Sequence, residues 1–215
     1  EIFVLGVFGV YLTFAALGFQ PGSPPSLPLA AIILDLVLAG LVGMVVSGLA
    51  AVGLERVAYR PLRRRNAPRL AFLITAIGAS FAIQQVIRIW RGSNPEGTIR
   101  LLPPSPVFEV FGAPVTNLQI VIIMASLGMF LVADRFVNRS RLGRGIRAVA
   151  QDPATATLMG VNRERVIMIT FLVGGLLAGV AALFYLMTIP QGAVYNGGFL
   201  LGIKAFTAAV LGGIG

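Results

Sequence analysis

The chain has 215 residues, 57% of them apolar and only 12% charged, with 17 Lys+Arg against 8 Asp+Glu and a mean hydropathy of +0.89. A soluble domain carries about 25% charged residues, so the composition excludes an ordinary soluble fold and fits a polytopic membrane protein. The lack of Cys and His excludes thiol nucleophiles, disulfides, Ser-His-Asp triads, haem and zinc sites, and the basic segments lack the interleaved aromatics of a nucleic-acid binder.

An all-α transmembrane bundle is expected, with five spans and the start of a sixth at 2–19, 29–54, 70–90, 115–133, 166–189 and 199 onward. Helices that cross the hydrocarbon core need roughly 20 residues. Glu1 is not an initiator Met and Gly215 interrupts an apolar stretch. The expectation is therefore a single transmembrane domain, 1–215, cut at both ends. Pro21, Pro24, Pro25 and Pro28 with Gly22 and Ser23 make a short uncharged turn after the first span. Asp35 falls in the outer half of the second span, as a structural acid or as part of a wet pathway.

The loop 55–69 holds six arginines and the loop 134–165 holds seven, whereas 20–28 and 190–198 carry no charge. Positive-inside bias puts 55–69 and 134–165 in the cytoplasm, so the first span runs outward. In the third span Gln84 and Gln85 could line a path or bond between helices. At its outer end Arg88 and Arg91 flank Trp90 as an interfacial anchor. Residues 107–116 (VFEVFGAPVT) read as a short hairpin at the outer membrane face, either a passive cap over the helix ends or a segment that meets an outer partner.

The segment Gly143–Arg165 (GRGIRAVAQDPATATLMGVNRER) carries the most information. Asp152 is an N-cap type, Pro153 suits the first helical position, and Gly160 tolerates the left-handed C′ conformation. These mark a helix of about two turns with Leu158 and Met159 at its tip. So short a helix is unstable alone. It must pack under its own bundle or dock in a partner's groove, for which Ala154, Ala156, Leu158 and Met159 have suitable spacing. Asn162 offers a second N-cap, and Glu164 sits in the first turn of the next span.

In the fifth span, small residues four apart, Gly175/Gly179 and Ala178/Ala182, permit close backbone approach. The loop 190–198 (PQGAVYNGG) is an ordinary turn or a re-entrant mouth with Tyr195 and Asn196 as polar contacts. Lys204, the lone lysine, is followed by Ala205, so no Walker A loop is present. No paired carboxylates stand at catalytic spacing. The chain is read as a non-enzyme without cofactor or metal.

AYRPLRRR at 58–65, LAFLITAIGASFAIQQ at 70–85, the run SRLGRG…ALFY at 140–185 and KAFTAAVLGGIG at 204–215 together resemble a LivH-type permease. Permeases of that family are transmembrane subunits of ABC importers for branched-chain amino acids. The paired LivM-type subunits lack the AYRPLRR stretch. The resemblance implies a complex of two permeases, two ATP-binding cassette subunits and an extracytoplasmic amino-acid-binding protein in the cell inner membrane. It also implies that 143–162 contacts the ATP-binding subunits. On this chain Asp152, Ala154, Ala156, Leu158, Met159 and Gly160 would carry that contact, flanked by Arg144 and Arg147. Asp35, Gln84, Tyr195 and Asn196 are the weaker pathway candidates. Alternatives are a permease for urea, short amides or other amino acids on the same scaffold, or a stand-alone channel or ion-coupled carrier. A structural scaffold would leave the punctuated helix unexplained.

Overall fold

The computed structural model describes residues 1–19, 28–97, 105–110, 113–189 and 192–213. The Pro-rich turn expected at 20–28 lies outside them except for Pro28. The helices are α1 (Ile2–Ala16), α2 (Leu29–Leu54), α3 (Arg60–Arg64), α4 (Arg69–Arg91), α5 (Asn117–Arg139), α6 (Arg141–Gln151), α7 (Pro153–Leu158), α8 (Arg163–Thr188) and α9 (Gly197–Leu211). Strands β1 (Pro106–Val110) and β2 (Ala113–Thr116) pair antiparallel, with Phe108 opposite Val115. That is the expected hairpin, and Thr116 and Gln119 close a reciprocal capping box where it enters α5.

Among the described residues four helical segments are long and apolar enough to cross a membrane: Ala30–Arg64, Leu70–Arg91, Asn117–Arg139 and Arg163–Thr188. Helices α1 and α9 are apolar but have only 15 residues each. The expected first span ends early because the chain turns at Gly18 (φ 87°). There the N–H of Phe19 donates to the carbonyl of Phe14, and the two rings meet edge to face at 6.0 Å. This double signature of a left-handed glycine and an apolar clasp is a Schellman stop.

The expected loop 55–69 is mostly helix. After Leu54 the chain makes a π-helical turn, Glu55–Tyr59, and continues as α3 to Arg64. Its wider ring accommodates Pro61, which lacks an N–H and crowds the preceding turn of an α-helix. Glu55 does not end the helix, because Arg63, two turns on, neutralises it at 2.5 Å. The true end is Asn66 (φ 48°), where the N–H groups of Asn66 and Ala67 donate to the carbonyls of Arg63 and Leu62. Similarly, α5 runs past Asp134 and Arg135 to Arg139, and α6 occupies much of the expected loop 134–165. Charge marks where these helices leave the apolar layer, not where they stop.

The core is built where α1, α2 and α8 cross. A β-carbon at Gly175 would lie 2.7 Å from the Ser47 carbonyl oxygen, and one at Gly179 would lie 2.5 Å from that of Gly43. Gly43 in turn faces Val10, and Gly6 faces Ser47 and Ala182. Buried Ser47 donates its hydroxyl to the Ile2 carbonyl at 3.1 Å, tying α2 to α1. Val7, Val10, Phe14, Leu183 and Leu186 fill the space around the crossing, joined by Ile87 of α4 and Leu118 of α5. The outer faces of α4 and α5 remain apolar and exposed, as at Ile74, Ile89, Phe130 and Leu131. A bilayer is the solvent such faces suit. The Gly175/Gly179 pair thus serves close packing, as its spacing suggests.

Gly174 sits on the same helix with open space beside it, which provides an internal control. Gly179→Leu is expected to destabilise the bundle by about 3 kcal/mol or more through overpacking, whereas Gly174→Leu should leave it intact. The thermal unfolding midpoints of the two purified variants in detergent provide the comparison.

Candidate functional site

The site is built on the basic end of the bundle. Ser140 starts α6 by accepting from the Gly143 N–H at 2.8 Å. A β-carbon on Gly143 would collide with the Phe136 and Val137 carbonyls, so only glycine lets α6 fold back on the end of α5. Arg147 then reaches from α6 to the Val137 carbonyl (2.7 Å) and to Asn138 Oδ1 (3.1 Å). Its guanidinium is therefore occupied with closing the α5–α6 corner, unlike that of exposed Arg144.

Asp152 ends α6 and begins α7. Its carboxylate accepts from the Ala154 N–H (2.9 Å), the Thr155 N–H (3.3 Å) and the Thr155 hydroxyl. The hydroxyl, followed by the two amides, holds the Asp152 pKa below its ordinary value. The ionised cap is therefore complete near pH 7 and is lost only as pH falls through that lowered value. At the other end Gly160 has φ 83°. The Gly160 N–H donates to the Thr157 carbonyl and the Val161 N–H to the Ala156 carbonyl, each at 3.0 Å. Both bonds of a Schellman motif are present.

The helix has an inner and an outer side. Ala156 is 5% exposed and packs with Val149, Val166, Ile146 and Val161 in a small cluster of its own. Within this chain the short Ala156 side chain lets α7 lie against α6 and α8. Leu158 and Met159, by contrast, are 87% and 80% exposed. Ala154 is exposed beside them. One side of α7 is packed against its own bundle and the tip projects.

A charge network joins this element to the rest of the bundle. Asn162 caps α8 by accepting from the Arg165 N–H at 3.0 Å. In the first turn of α8, Glu164 pairs with Arg60 (2.5 Å) and lies 3.7 Å from Arg63, which also holds the 2%-exposed Glu55. Sequence reasoning places Glu164 correctly at a helix start but misses its partners. The separate Glu55–Arg63 pair, spaced by eight residues or two helical turns, did carry a local signal.

The four pathway candidates do not converge. Asp35 is half-buried on α2, Tyr195 packs against the main core, and Asn196 is exposed at the start of α9. Gln84 is buried and donates its amide to Glu1 at 2.7 Å. Glu1 was not singled out by the sequence. At the opposite face of the bundle Arg91 pairs with Glu96 (2.7 Å) and lies over the Trp90 and Tyr11 rings. Lys204 is exposed on α9.

Comparison with known proteins gives one consistent answer. A family model described as the permease component of branched-chain amino acid transport systems matches residues 1–215. The chain is 37% identical to the high-affinity branched-chain amino acid transport system permease protein BraD of Pseudomonas aeruginosa, and 38% identical to LivH of Escherichia coli K12. Each alignment covers 100% of this chain and 68% of the relative. A probable LivH of Methanocaldococcus jannaschii is 27% identical over 77% of the chain. No solved structure matches. With apolar membrane-length helices, a capped helix at the basic end and similarity to transport permeases along the whole of residues 1–215, the chain belongs to the branched-chain amino acid permease family and is a multi-pass membrane transport subunit, not an enzyme.

Proposed function

We propose that this chain is the membrane-spanning subunit through which an ABC importer moves branched-chain amino acids across a prokaryotic inner membrane. ATP is hydrolysed on separate cassette subunits. An external binding protein delivers the amino acid, and a LivM-type chain is the second permease. Positive-inside bias supports a cytoplasmic position for 55–69 and the α6–α7 segment, on the side where ATP is available. The observation that carries the reading is α7, capped at both ends with Leu158 and Met159 projecting.

The mechanism follows from its attachments. The cassette subunits hold the tip of α7 in a groove, and closure of those subunits displaces it. The helix is anchored inward by Ala156 and joined to α8 through Gly160–Asn162, so the displacement arrives at the first turn of α8. There Glu164 passes it to Arg60 and Arg63 on α3. The long α2 and α8 then move together, which changes the access of a cavity between permeases. ATP binding and hydrolysis bias a two-state equilibrium by favouring one docking geometry over the other.

Burial of one large apolar side chain is worth about 1.5–3 kcal/mol. Leu158→Asp should therefore weaken binding of the cassette subunits by roughly tenfold or more while leaving the permease's own unfolding midpoint unchanged. Titration of purified cassette subunits onto the reconstituted permease reads this directly. Unchanged affinity with unchanged leucine uptake would refute the docking role of α7.

Glu164→Gln should act differently. Cassette docking and ATP hydrolysis should persist, but leucine imported per ATP should fall severalfold, because the link to α3 is cut. Gly160→Val places a β-branched residue at φ 83°, a strain of about 1–2 kcal/mol, and should lower uptake without loss of membrane insertion.

A further inference from the structure

A cavity of about 1030 Å³ lies between α4, α8 and α9. It follows α4 from Phe72 to Phe81, about 14 Å of helical rise. Its walls are apolar, with Phe81, Phe171, Phe199, Ile203 and Phe206 prominent. Tyr59, stacked on Phe72, and Arg63 border the basic end. Arg63 is already committed to Glu55 and Glu164.

The other end is bordered by Glu1 and Ser80, one turn from Gln84. Glu1 Oε1 accepts the Gln84 amide at 2.7 Å, but Oε2 is buried and has no hydrogen-bond partner. The first turn of α9 closes over it, and a β-carbon at Gly198 would lie 3.3 Å from that oxygen. A carboxylate within apolar surroundings requires donors, because water no longer solvates it. Ionisable groups at membrane depth are rare and mark pathways. Clefts of this size with apolar walls and one or two placed polar groups are typical ligand sites.

We propose that Glu1 binds the ammonium group of the transported ligand at this end of the cavity, with the ligand's branched apolar chain lying among the phenylalanines. The proposal rests on the permease reading above and specifies where the cargo is held. A cation completes the hydrogen bonding of Oε2 and balances its charge. A neutral apolar molecule leaves that oxygen unpartnered, and an anion is repelled. Glu1 therefore selects for the amine end of an amino acid, and the aromatic walls select for its side chain.

The test uses the complete protein assembled with its cassette subunits in nanodiscs. The probes are isopentylamine, which has the leucine side chain and amine without the carboxylate, and 4-methylpentanoate, which has the carboxylate without the amine. Ligand-observed saturation-transfer NMR should detect isopentylamine on the wild type and little or no 4-methylpentanoate. Glu1→Gln should weaken isopentylamine binding at least tenfold, and Glu1→Asp should retain part of it. If Glu1→Gln fails to fold, Glu1→Asp decides, with reduced affinity expected at a wild-type unfolding midpoint. Equal affinity in both variants, equal binding of 4-methylpentanoate, or no isopentylamine binding to the wild type, as when lipid or another helix fills the cavity, would overturn the proposal. Leucine uptake by the same wild-type preparation is read separately. Its absence alongside isopentylamine binding would overturn the cargo assignment while supporting the ammonium site.

Discussion

The contact of the α2 backbone with the α8 backbone, at Gly43–Gly179 and Ser47–Gly175, is the constraint on which the remaining structure depends. Lipid tails are as apolar as leucine, so helices in a membrane gain little from burying leucines against each other. What holds them is dispersion between closely fitted surfaces and a few interhelical hydrogen bonds. Glycine supplies the fit, and the Ser47 hydroxyl on the Ile2 carbonyl supplies a bond. α1 can cross both long helices only because it carries no bulk at Gly6 and α2 carries none at Gly43. Helices α4 and α5 are attached more lightly and keep broad apolar faces free.

The same two helices are joined again at the basic end by different physics. Glu55, Arg63, Glu164 and Arg60 form an ionic chain from the π-helical turn to the start of α8. A buried ion pair adds little net stability, because desolvation offsets the Coulomb gain, yet removal of one partner costs about 3–5 kcal/mol. Its value here is registry. Nonpolar contacts would let the ends of α2 and α8 slide, whereas a carboxylate shared between two guanidiniums fixes their relative position. The π-helical turn contributes by setting Arg60 and Arg63 on the side of the helix that faces α8.

Much of this was legible in the sequence where local chemistry decides the structure. The hairpin at 107–116, the Asp152 and Asn162 caps, the Gly160 stop and the close packing at Gly175/Gly179 are all specified by residues within a few positions of one another. The helix ends at the basic side were misjudged because the first charged residue was taken as the end of helix. Hydrophobicity reports the edge of the bilayer, and helix termination is reported by other residues. Asn66 followed by Pro68 was the stop signal for α3, as Gly18 was for α1. The contact of Glu1 with Gln84 and the partners of Glu164 could not be read locally, because they depend on residues 83 and about 100 positions away. The family resemblance supplied the transport role, and neither spacing nor composition alone would have reached it.

In the coupling proposed above, α7 acts as a lever instead of a tether because both its ends are closed. A flexible loop absorbs displacement by rotating its backbone, since each residue retains accessible φ/ψ states. In α7 the Asp152 carboxylate satisfies the N-terminal amides, and the two Gly160–Val161 bonds satisfy the C-terminal carbonyls. Six residues thus behave as one body despite being too few for a stable free helix. Ala156 fixes the fulcrum against α6 and α8. With its inner side anchored and its tip exposed, the push proposed at Leu158 would turn the helix about that fulcrum and deliver the motion to the first turn of α8, where Glu164 is already engaged with α3.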